Sequence, residues 1–136
     1  MDMSEISREQ LLIVIADFLE MGHVDNIVAM VKQEPSCLEL AGELIQQERF
    51  KVRMGVAVLF EELAPVMPLQ ILAVAVPSLA AAMKHAAPYV RGDAAYVLGL
   101  IKSPEALDAL AKFQNDRDRQ VAEIVREALG FSSTGQ

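Results

Sequence analysis

The soft donors and nucleophiles on which most metal and covalent chemistry depends are few in this sequence: His23, Cys37 and His85. None has a second His or Cys within four residues. A structural or catalytic zinc needs three or four clustered nitrogen or sulfur ligands, so no metal and no cofactor is expected. Cys37 follows Ser36, which with Glu39 reads as a capping box, and this places the thiol in a helix's first turn. The helix dipole there would draw a thiol's pKa down, although a small packing residue is the plainer reading. Being the sole cysteine, it forms no intramolecular disulfide. The paired acids Glu61-Glu62 and Asp116 with Asp118 sit at helix ends and turns, where carboxylates are ordinarily solvated charge. Gly92 and Gly99 make no phosphate-cradling loop. No catalytic constellation emerges, and an enzyme is not expected.

The elements that carry these residues read as helices. Ser7 and Gln10 form a capping box for a first helix running to about Met21, with Gly22 as its terminator. Its centre, Leu11 to Ala16, is apolar nearly all the way round, which predicts burial between neighbours or against a second copy. A second helix fits Val24 to Gln33, a third runs from Ser36 to about Gln47, and a fourth covers Phe50 to Leu63 before Pro65. Residues 64–70 read as an insertion. Pro77 then opens a helix to about His85. The next helix spans Tyr89 to Ile101, after Pro88. Ser103-Pro104-Glu105 starts another, to about Asn115, and the last runs from about Arg117 to Leu129 with Gly130 as its stop. Seven or eight helices in antiparallel pairs are predicted.

A motif recurs among them. Val90-Arg91-Gly92-Asp93-Ala94-Ala95-Tyr96-Val97-Leu98-Gly99 aligns with the ten residues beginning at Val52-Arg53, 38 residues earlier. It aligns more loosely with those beginning at Val121, 31 residues later. A helical motif returning at such a period predicts a solenoid, in which each unit buries its apolar face against its neighbours. The motif resembles the HEAT-like repeats of the phycobilisome-lyase type, in which an acidic turn leads to Val-Arg, two variable residues, a pair of small residues and Leu-Gly. The match is closest over Tyr89 to Gly130; Ala122 stands where a further Arg is expected, and Glu48-Arg49-Phe50-Lys51 replaces the acid-rich turn before Val52. The resemblance implies an all-α, short α-solenoid of the HEAT/armadillo kind. It also implies that Arg53 and Arg91 act structurally, bonding to carbonyls or acids of the adjoining turn as a ladder. One domain is expected: residues 1–35 as an atypical N-terminal helical cap, 36–130 as repeats and 131–136 as a fraying tail.

Charge narrows the partners. The net charge is −7, and residues 1–50 carry all of it, with ten acids against Arg8, Lys32 and Arg49. An acidic surface repels phosphate backbones, so nucleic acid is not expected as a partner. No basic segment precedes the apolar run at Leu11, which argues against a signal peptide. The uncharged stretch from Ala64 to Met83 has the length of a membrane span, but Pro65, Pro68 and Pro77 break it. A cytoplasmic protein that does not enter membranes is the expectation.

With Val52, Val90 and Val121 facing the core, the motif's variable positions point away, towards a concave face. The candidate partner-binding residues are Met54, Val58, Leu59 and Glu62 on one helix, Asp93, Tyr96 and Val97 on the next, and Glu123 and Glu127 on the last. A Met/Val/Leu patch beside a tyrosine, rimmed by acids, suits a partner helix or peptide with apolar anchors and basic flanks. The competing reading of Met54, Val58 and Leu59 is core, skewed by the insertion. The expected function is a non-catalytic interaction module for a protein partner. Two alternatives are an accessory or relative of the bilin lyases, implied by the resemblance alone, and a homo-oligomer assembled through the first helix.

Overall fold

The computed structural model describes residues 7–131, and these are mostly helical with no strand among them. The order is α1 (Arg8–Glu20), α2 (Val24–Gln33), a 3-10 segment Pro35–Leu40 running into α3 (Ala41–Ile45), then α4 (Phe50–Leu63). There follow α5 (Leu69–Leu72), a 3-10 turn Ala73–Ala75 leading into α6 (Val76–Ala82), α7 (Pro88–Ile101), α8 (Pro104–Ala111) and α9 (Arg119–Ala128). Of the tail expected to fray, residues 132–136 lie outside the described ones.

Local signals set most of the boundaries. The Ser7 hydroxyl accepts from Gln10 N at 3.1 Å while Gln10 Oε1 accepts from Ser7 N at 3.2 Å, completing a capping box. Gly22 and Gly130 end α1 and α9 with φ of +82° and +91°, the left-handed region that costs other residues a Cβ clash. Ser103 caps α8 by accepting from Ala106 N at 3.0 Å. Asp118 does the same for α9 through Val121 N at 3.1 Å, so that helix begins at Arg119 instead of Arg117.

The capping box expected at Ser36 and Glu39 does not form. Pro35 occupies the first helical position, its fixed φ starting the helix one residue earlier, so Glu34 becomes the N-cap. The helix predicted there is a 3-10 segment before it is α-helical. The stretch from Ala64 to Met83 is likewise broken, and no helix among the described residues is long and apolar enough to cross a membrane. Helix α1 has a single core face of Ile15, Ala16 and Leu19, while Ile13 and Val14 are exposed, so its neighbours within the chain do not bury it all round.

The helices form two layers: α1, α4, α7 and α9 side by side in one, and α2, α3, α6 and α8 in the other. Between them lies a continuous core of aliphatic side chains around Phe60, Leu63, Leu79 and Leu98. Small residues fix the spacing within layers. A Cβ at Gly42 would lie 2.1 Å from the Ser78 carbonyl oxygen, so α3 and α6 cross backbone to backbone. The Ser78 hydroxyl also accepts from Gly42 N at 2.9 Å. In the opposite layer, a Cβ at Gly99 would meet the Ala128 Cβ at 2.7 Å, which sets the α7–α9 distance.

Candidate interaction surface

Two arginines tie the turns to the helices of the α4–α7–α9 layer. Arg91 is 4% exposed, and each nitrogen of its guanidinium has a hydrogen-bond partner. Nε and Nη2 each donate to the Asp116 carboxylate at 2.9 Å, and Nη1 donates to the carbonyls of His85 at 2.9 Å and Ala86 at 3.0 Å. This fork-to-fork geometry is the strong form of the ion pair. The Arg91 guanidinium holds the Asp116 carboxyl below the usual carboxylate range, helped by a bond from the Asp118 N–H.

Arg53 has the same carbonyl contacts one repeat earlier, donating to Gln47 O at 2.8 Å and Glu48 O at 2.9 Å. The turn after its repeat offers His85 where Asp116 stands later, so no carboxylate meets it from there. Instead Nε lies 3.5 Å from Asp93 Oδ2, an ion-pair contact too long to satisfy the buried N–H as a hydrogen bond. The guanidinium stacks on the Tyr89 ring at 4.5 Å and lies 5.6 Å from the Phe50 ring centroid. Burial pushes the Asp93 carboxyl up, and Arg53 only partly offsets this.

Helical geometry sorts the candidate partner-binding residues. On α4, Met54 and Val58 are 51% and 38% exposed and Glu62 is exposed. Leu59 is 3% exposed and belongs to the buried stripe of Val52, Val56, Phe60 and Leu63. On α7, Tyr96 is 41% exposed and Asp93 half-buried, but Val97 is 1% exposed, in line with Val90, Ala94 and Leu98. Leu59 and Val97 are therefore core residues and not part of the exposed surface. Each stands one residue, about 100° of helix, past an exposed neighbour. Glu123 and Glu127 are exposed on α9. The α4 and α7 stripes are joined where the Tyr96 hydroxyl bonds to the Glu61 carboxylate, which raises the phenol's pKa.

Sequence reasoning missed several members of this surface. Met21, 61% exposed, faces Met54 and Val58 across a shallow groove that also holds Lys51 and Gly22. Tyr89 extends the α7 stripe, and its spacing of four and seven residues from Asp93 and Tyr96 was the available signal. Met21 had none, because it comes from a turn outside the repeat motif.

Cys37 is buried among Ile27, Val31 and Leu38, and desolvation pushes its thiol up to about 11. The helix-dipole activation considered for it is thereby reversed, since burial outweighs any effect of the short 3-10 segment. Among the described residues, no group of three or more His, Cys, Asp or Glu is placed to hold a metal ion.

No curated protein and no solved structure matches the chain. Residues 72–130, from the end of α5 to the end of α9, match the family described as HEAT repeats, without distinguishing the phycobilisome-lyase type. HEAT repeats generally mediate protein–protein interaction and are typically non-catalytic. The family match and the paired helix layers agree: residues 72–130 are similar to HEAT repeats, and the chain has an all-α, solenoid-like fold.

Proposed function

We propose that the chain is a non-catalytic interaction module that holds a protein or peptide partner on the α4–α7–α9 layer. The observation that carries this reading is the exposed stripe of Met21, Met54, Val58 and Tyr96, bordered by Glu61 and Glu62. Scattered single apolar residues are ordinary on protein surfaces, but a stripe that runs across neighbouring helices marks a contact surface. Methionine supplies adaptable contacts, and a tyrosine adds apolar area with a polar tip. The acids bordering it favour a partner helix or peptide with basic flanks. Glu123 and Glu127 on α9 extend the acidic border.

The test is an affinity capture with the tagged chain, comparing wild type with Met54→Ala/Tyr96→Ala. Both side chains are exposed, so the double variant should melt within a few degrees of wild type. One dominant protein, captured by wild type and lost by the variant, is the expected result. Equal capture by both moves the interface off this face. No capture together with a clean dimer by light scattering replaces the adaptor reading with self-assembly.

A further inference from the structure

The N-terminal halves of α7 and α9 diverge to leave a groove of about 450 Å³, whose lining is mixed in character. Buried Gly92 and Val121 with half-buried Ile124 give its lining an apolar floor, and exposed Tyr89 with half-buried Asp93 and Asp118 line it as well. Gly92 adds no side chain to the groove, and a Cβ there would reach only van der Waals contact with Ile124 Cδ1, at 3.4 Å. No lysine or arginine lines it. Asp118 spends one carboxylate oxygen on capping α9 and makes no ion pair among the described residues. Asp93 has only the long contact to Arg53 behind it.

Two carboxylates above an apolar floor select the occupant. An anion is repelled, and an uncharged apolar side chain would desolvate both carboxylates without pairing them. Two carboxylates are too few oxygen ligands for a calcium site. A long side chain with an aliphatic stem and a cationic head satisfies floor and carboxylates together. We propose that this groove seats an arginine or lysine side chain of the partner, the stem across Gly92, Val121 and Ile124 and the head between Asp93 and Asp118. The assignment rests on the adaptor reading and names the anchor that the partner supplies.

The experiment is an amide NMR titration of the full chain with N-acetyl-arginine amide, against the uncharged isostere N-acetyl-citrulline amide. Saturable shifts are expected at Gly92, Asp93, Gln120 and Ile124, with citrulline about tenfold weaker because it lacks the charge-assisted bonds. Added salt should weaken the arginine response. Asp118→Asn retains a side chain that caps as well as aspartate, so it should stay folded while falling to the citrulline level. Asp93→Asn provides a second, independent loss. Equal responses to the two amides, no response, shifts spread over the other acidic surfaces, or an unaltered Asp118→Asn would each overturn the proposal. The two readings separate cleanly. A partner captured equally by wild type and Asp118→Asn, with no arginine response, leaves the adaptor and removes the groove. Saturable arginine binding with no partner captured does the reverse.

Discussion

Replacing Asp116 with alanine should destabilise the chain without touching either helix pair's apolar core. The variant leaves Arg91, 4% exposed in the intact chain, with its two carbonyl bonds but with Nε and Nη2 unpaired. Removing one partner of a buried ion pair costs about 3–5 kcal/mol, because the surviving charge stays desolvated. The lower end applies here, since an open depression lined by Lys84, His85, Phe113 and Arg117 lets water approach the guanidinium once the carboxylate is gone. A loss of about 3 kcal/mol corresponds to a fall in Tm of roughly 10 °C for a domain of this size. The pH dependence supplies a second signature. Asp116 has its pKa lowered on folding, so its contribution is complete above the unfolded carboxylate value of about 4 and is lost as pH falls through the folded value. The gap in Tm between wild type and Asp116→Ala should therefore be constant at neutral pH and close progressively below about pH 4. Scanning calorimetry or circular-dichroism melts over that range measure both. A gap under about 3 °C at pH 7 would refute the reasoning, showing that the pair is solvated and contributes like an ordinary surface bridge.

Two further outcomes follow from backbone geometry, both read by chemical denaturation. Gly42→Ala should cost about 3 kcal/mol, because its Cβ would sit 2.1 Å from a backbone oxygen that cannot rotate away. Lys102→Gly should instead stabilise the fold by about 1 kcal/mol, since Lys102 closes α7 at φ +57°, a conformation that glycine adopts without the Cβ penalty. A neutral Gly42→Ala would mean that α3 and α6 slide apart at little cost, and a destabilising Lys102→Gly would mean that the lysine side chain contributes more than its backbone strain.

The sequence determined what depends on neighbours a few residues away. The caps at Ser7 and Ser103, the stops at Gly22 and Gly130, and the limits of α4 each involve one turn of chain, and a turn's hydrogen bonds are written in the few residues that make it. The repeat of Val-Arg then made the solenoid legible, because each unit repeats the same apolar face. Even locally, rival signals needed the folded chain to choose between them: Pro35 starts a helix where Ser36 could have capped it, and an exposed Val58 directly precedes a buried Leu59. Tertiary structure alone decided how neighbouring helices meet. Asp116 reaches Arg91 across 25 residues, whereas Arg53 finds no such turn acid and leans on Asp93 from the next helix. Met21 joins Met54 only because α1 lies against α4. Nothing in the spacing of Gly42 and Ser78 reveals that their backbones touch. Period and capping are properties of one helix. Which residues share a groove depends on the separation and register of two helices, and these are set by small residues distant in the chain.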